Sequence, residues 1–218
     1  MSVEFVEKYN NSNIKPELCV IWLHGLGADC NDFLPIVNEL NLNRSIKFVF
    51  PNAPLRAITI NNGYVMRGWY DIMDLSRLDG AIDFVGINDS INQINQLIEK
   101  QIANGFDYSK IILAGFSQGG VISYLAGINH SQQLGGIMVL SCYLPDIKNI
   151  IGKSSSNITT PIFAAHGLSD PIVPYVIGKQ ASDALINAGY NLKWHEYKMP
   201  HSVCQEQIAD IANWLNEL

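Results

Sequence analysis

No stretch of this 218-residue chain is apolar for long enough to cross a bilayer. Runs such as "GGIMVLSCYL" extend for about ten residues, whereas a spanning helix needs roughly 18. The amino terminus, "MSVEFVEKYN", has two glutamates where a secretory leader would have a basic start and an apolar stretch. Cysteine is sparse as well: Cys19, Cys30, Cys142 and Cys204 form no CxxC pair and have no zinc-like spacing. Reduced thiols, no metal and a cytoplasmic location are therefore expected. Positive charge is neither abundant nor clustered. The 14 Lys and Arg residues are scattered and the net charge is −6, which argues against nucleic acid as a partner.

What remains is an apolar, sparsely charged chain, 48% hydrophobic and 16% charged, of a size that one α/β domain fills. Apolar, β-rich runs recur at 18–23, 46–50, 110–115, 136–141, 161–166 and 192–197. Four of them are almost continuously apolar, as strands covered on both faces of a mainly parallel sheet should be. Helical patterns alternate with them. Ile91, Ile94, Leu97, Ile98 and Ile102 share one stripe over 90–104, where Ser90 and Gln93 fit a capping box, and Ile208, Ile211 and Leu215 share another over 202–217. The expectation is one doubly wound α/β domain over 1–218. The polar "GKSSSN" at 152–157 reads as a surface loop within it.

One segment asks for chemistry. "KIILAGFSQGG" sets Ser117 between glycines at the end of a strand-like run and before a helix-like one. This G-x-S-x-G context is that of a tight strand-to-helix turn, which lifts a serine hydroxyl above the sheet. A serine nucleophile needs a base. Of the five histidines, His130 reads as the solvated end of a helix and His195 as a half-buried strand residue. His24 and His166, each before a glycine at a strand end, read as turn formers. His201, in the loop "KMPHSVC" before the last helix, completes the chain order Ser, acid, His. The acid between them is assigned to Asp170 in "HGLSDPIVP", with Asp146 as runner-up; Asp183 falls mid-helix and Glu196 mid-strand. The acid's task is to fix the His201 tautomer and stabilise its imidazolium. The oxyanion donors are expected to be the Gln118 N–H and, from the loop "WLHGLGADCNDF", that of Leu26. Because the base must be neutral, kcat/KM is expected to rise with pH through the imidazole range.

Competing motifs fail. "GLGADC" has Cys30 where a dinucleotide fingerprint needs a small residue, "GKS" at 152–154 has Ile147 in place of the Walker glycine, and His195 and His201 are six apart rather than the zincin four.

"HGLGADCNDF", "FPNAPLRAITINNGYVMRGWYDI", "GFSQGG", "HGLSDPIVP" and "MPHSV" follow one another through nearly the whole chain. In that order and spacing the sequence resembles the small carboxylesterases and acyl-protein thioesterases of the α/β-hydrolase superfamily. The resemblance implies a sheet of about seven mainly parallel strands with helices on both faces and no separate cap domain. It also implies Ser117, Asp170 and His201 as triad, Leu26 and Gln118 as oxyanion donors, and no cofactor. Cys30 is a departure, since glycine is commoner there in the family. The implied reaction is hydrolysis of carboxylic ester or thioester bonds through an acyl-serine intermediate. The implied substrates are small esters or acyl thioesters, acylated proteins or lipids, with transient membrane contact compatible with the last two. A serine peptidase on the same triad is disfavoured because nothing resembles a propeller or second domain. A non-catalytic receptor is disfavoured because every triad member is present. The sequence is silent on a homodimer. Finally, residues 61–73, "NNGYVMRGWYDIM", lack clean periodicity and admit two readings, a loop that buries its apolar side chains in the core and a flexible apolar flap over the acyl chain. Met66 and Trp69 from that flap, with Val173, are the expected substrate contacts.

Overall fold

The computed structural model describes residues 3–73, 82–145, 147 and 155–218. Seven strands form the main sheet: β1 (Phe5–Tyr9), β2 (Leu18–Leu23), β3 (Ile46–Pro51), β6 (Ile111–Phe116), β7 (Gly136–Leu140), β8 (Ile162–Gly167) and β9 (Leu192–Tyr197). Their spatial order is β1-β3-β2-β6-β7-β8-β9. Only β1 runs antiparallel to its neighbour; every other pairing in this sheet is parallel. Two further strands, β4 (Leu55–Ile58) and β5 (Tyr64–Arg67), make a separate antiparallel hairpin.

The strand sequences explain this arrangement. In β2, β3, β7 and β8 every residue is buried, and in β6 every residue but Phe116. Alternate side chains supply two cores, as a period of two requires. Ile21, Leu23, Val49 and Leu113 join one core with α1 (Phe84–Ala103), α2 (Gln118–Asn129) and α3 (Tyr175–Asn187). Val20, Trp22, Phe48, Phe50 and Ile112 join the other with α4 (Gln205–Glu217). Helices thus cover both faces. No helix among the described residues is long and apolar enough to cross a membrane.

Three local expectations are corrected. Helix α1 starts at Phe84, not near Ser90; the Asp83 carboxylate accepts the Gly86 N–H and caps it. Ser90 lies buried inside the helix, its hydroxyl donating to Trp69 O rather than to a helix end. In the segment 152–157, residues 152–154 lie outside the described ones. Asn157 is fully buried, accepting from the Leu134 N–H and donating to His130 O and Gln132 O. Residues 61–73 are not an unstructured flap. They contain β5, whose partner β4 lies outside that window, and then Trp69 and Tyr70, both buried in the first core.

Candidate active site

Ser117 stands between β6 and α2 with φ 54° and ψ −120°, a region that non-glycine residues avoid at a cost of about 1–3 kcal/mol. The fold holds it there. Its N–H donates to Leu140 O at 2.8 Å, and its carbonyl accepts the Val121 N–H at 3.2 Å as the helix begins. The flanking glycines are required by crowding. A Cβ on Gly115 would lie 2.3 Å from Gly119 O, and one on Gly119 would lie 2.5 Å from His24 O and 2.6 Å from Leu23 O. The elbow therefore closes only if both positions lack side chains, and it closes against the end of β2.

Asp170 and His201 come from neighbouring strand ends. The loop after β8 is tied to the loop after β9 by Leu168 N–H to Tyr197 O (2.8 Å) and Ser169 N–H to Met199 O (3.2 Å). Gly167 lets the two loops cross, since a Cβ there would meet Met199 O at 2.4 Å and Pro200 O at 2.5 Å. The result is a 2.7 Å hydrogen bond from His201 Nδ1 to Asp170 Oδ2. The other carboxylate oxygen accepts the Ile172 and Val173 N–H groups, each at 2.9 Å. The Asp170 side chain is fully buried, so these donors replace the water it has lost. With Nδ1 donating to Asp170, His201 Nε2 is left free to accept a proton. The His201 ring packs on Phe116, centroids 4.7 Å apart, which sets it beside the end of the strand that leads into Ser117. Among the described residues Ser117 Oγ forms no hydrogen bond to His201; catalytic hydrogen bonds are often long in a protein without substrate.

The loop that follows β2 lies against the elbow: a Cβ on Gly25 would be 3.5 Å from Ser117 Cβ. The Gly27 N–H donates to Arg67 O at 2.8 Å, so the β4–β5 hairpin braces this loop. Among the described residues the N–H groups of Leu26 and Gln118 have no acceptor, which leaves both available to an oxyanion. The Gln118 side chain has a second task that its place in G-x-S-x-G does not announce. Its Oε1 accepts the Trp69 N–H (2.8 Å) and its Nε2 donates to Tyr70 O (2.6 Å), pinning residues 69–70 to the elbow.

The remaining sequence candidates fall as follows. Trp69 is fully buried, donates its indole N–H to His24 O and leans on the His24 ring, so it supports the site from below instead of meeting an acyl chain. Val173 is buried and serves Asp170 through its backbone. Met66 is half-buried, its sulfur 3.5 Å from where a Gly27 Cβ would stand. Asp146 lies outside the described residues. His24 is more than a turn former: Nδ1 faces Gly25 O (2.7 Å) while Nε2 accepts the Ala53 N–H (3.1 Å), and burial lowers its pKa. His130 is buried, not solvated, with its ring against Tyr108. His195 is half-buried in β9 and stacked on Phe163, as expected.

A cleft of about 460 Å³ opens beside His201. Phe33, Phe116, Val203 and Ile208 line one part of it and Asp32, Glu39 and Gln205 another, and Ser117 is not in its lining. A cavity of similar size, about 420 Å³, sits at the opposite end of the sheet near Lys47 and Phe106 and touches none of these residues.

Residues 6–218 match the phospholipase/carboxylesterase family model. An acyl-protein thioesterase 1 from Yarrowia lipolytica is 37% identical over 206 residues, covering 91% of this chain and 90% of that relative. The crystal structure of Arabidopsis thaliana SOBER1 matches with a TM-score of 0.84 at 28% identity, covering 92% of this chain and 98% of that one. Zea mays acyl-protein thioesterase 2 shares the fold, with a TM-score of 0.83 at 22% identity over 97% of this chain and 98% of that one.

Proposed function

The chain belongs to the phospholipase/carboxylesterase family and is a serine hydrolase of ester and thioester bonds; from that premise we propose that Ser117, His201 and Asp170 carry the reaction and that acyl-protein thioesters are its substrates. The observation that carries the assignment is the hydrogen bond from His201 to the buried Asp170 carboxylate beside a strained serine elbow.

In the first half-reaction Ser117 Oγ attacks the thioester carbonyl carbon and His201 Nε2 takes the hydroxyl proton. The carbonyl oxygen becomes an oxyanion, held by the Leu26 and Gln118 N–H groups. Collapse of the tetrahedral intermediate breaks the C–S bond, and the thiolate leaves with the proton from His201. In the second half-reaction water attacks the acyl-serine, again giving a proton to His201, which returns it to Ser117 Oγ as the carboxylic acid departs. The balance is thioester plus water to acid plus thiol. Asp170 stays ionised throughout and stabilises the imidazolium that forms twice per cycle. The apolar wall of the His201-lined cleft offers surface to an acyl chain or an apolar leaving segment. The four free cysteines suit a reducing compartment, and the cytoplasm is the compartment proposed.

The test compares hydrolysis of an S-acylated peptide with that of the matching O-ester and a short soluble ester. The reading predicts turnover of the S-acyl peptide that disappears in Ser117→Ala. Turnover of the small esters alone, with the S-acyl peptide untouched, would contradict the substrate class while leaving the triad standing.

A further inference from the structure

His166 is fully buried at the end of β8 and takes no part in the proton path described above. Its Nε2 is 2.8 Å from Val173 O and 3.3 Å from Asp170 Oδ2. Both neighbours can only accept, so Nε2 carries the hydrogen, committed to Val173 O with its dipole beside the carboxylate. Nδ1 has no partner among the described residues, and it faces Gly178 of α3, where an added Cβ would sit 2.4 Å away. The ring is therefore neutral and of one tautomer, stacked near Trp194 and edge-on to Tyr175. Burial lowers its pKa, against the opposing pull of the Val173 hydrogen bond and the Asp170 carboxylate.

We propose that His166 is a positioning residue for Asp170: it closes the 170–173 turn from beneath and aims Oδ2 at His201. The turn is held at two points. Ile172 and Val173 N–H groups grip Oδ1 from one side. His166 grips the far end of the same turn through Val173 O, and its N–H edge borders Oδ2. Without that grip the Val173 carbonyl loses its buried donor, the turn relaxes, and the carboxylate can swing about Oδ1 away from His201. A neutral donor suits this position. A cation there would compete with the His201 imidazolium for Asp170, and an apolar side chain would leave Val173 O without a partner. The inference rests on the Asp170–His201 assignment, and the experiment separates the two.

His166→Leu removes the donor at similar bulk; His166→Gln can place an amide N–H near the Nε2 position. The expected result is a fall of about tenfold in kcat for Leu, with KM within twofold, and recovery to within about threefold for Gln. Gly178→Ala should lower kcat in the same way, since the new methyl displaces the ring without touching Asp170. In the parent, 15N-histidine NMR should show His166 as the neutral Nε2–H tautomer, with its resonances shifted by Asp170→Asn. A folded His166→Leu that keeps its kcat, or a Gln variant as impaired as Leu, would overturn the proposal. So would an Nδ1–H tautomer in the parent, a result that stands even if the variants do not fold. If Asp170→Asn itself left kcat unchanged, the fault would lie with the triad assignment instead.

Discussion

The Asp170 side chain has lost all contact with solvent, yet its proposed role needs it ionised. Two backbone N–H groups and His201 compensate that burial, so the carboxylate is held by hydrogen bonds rather than by a cation. Asp170→Asn keeps the shape but puts an amide donor or a weaker acceptor opposite His201 Nδ1. A loss of about 10⁴ in kcat with near-normal folding is expected, measurable by steady-state kinetics alongside thermal unfolding. Ser117→Ala, His201→Ala and the double variant should fall to similar near-background rates, a loss on the order of 10⁴ to 10⁶, because the residues act as one unit. A double variant far slower than either single one would break that coupling. At this scale the sequence is informative where chemistry imposes a motif: Ser117, Asp170 and His201 follow from spacing and chain order. It is silent where a side chain serves another through space. The grip of His166 on Val173 O, seven residues onward, depends on a turn whose path "HGLSDPIVP" does not disclose. The clamp from Gln118 to residues 69 and 70 joins segments nearly fifty positions apart.

Elements that support the site divide by how completely they are buried. The central strands are legible because both faces are covered and nearly every residue is apolar. Strand β1 is half-exposed at the sheet edge and mixes Glu7 and Lys8 with apolar residues, so its pattern is weak. Strands β4 and β5 have four residues each and gain meaning only from pairing. The stretch 61–73 reads as aperiodic for that reason: half of it faces a hairpin partner and half descends into the core. Trp69→Ala tests the difference. As a buried core side chain with hydrogen bonds at both backbone and indole, it should cost about 3–5 kcal/mol in urea unfolding. Any loss of kcat/KM should then be similar from two-carbon to twelve-carbon esters. A penalty that grows with chain length would return Trp69 to the acyl site. Gly119→Ala should be worse for the fold than for the chemistry, because its methyl would strike two carbonyls of β2 and its exit. The expected outcome is loss of cooperative unfolding or of soluble protein.

Over the whole molecule, burial lowers the pKa of three histidines, His24, His166 and His195. Below the unfolded value of about 6.5 the unfolded chain binds more protons than the folded one, so stability rises with pH there. The stabilisation is whole above about pH 6.5 and is lost as pH falls, with a slope of at most about 1.4 kcal/mol per pH unit for each histidine. Urea midpoints measured between pH 7.5 and 5.5, above the carboxylate range, should decrease steadily toward the acid side; a constant midpoint would show that folding does not lower the pKa of these rings. The parallel sheet ties these observations together, because the ends of β2, β6, β8 and β9 bring the Leu26 loop, Ser117, Asp170 and His201, the residues proposed to carry the reaction, to one edge. The claim that this edge is a working serine hydrolase site is tested most directly by a fluorophosphonate probe followed by intact mass and peptide mapping. The account predicts one adduct per chain, located on Ser117, with hydrolysis lost in proportion to labelling. An unlabelled protein, or full hydrolysis after Ser117 is modified, would contradict it.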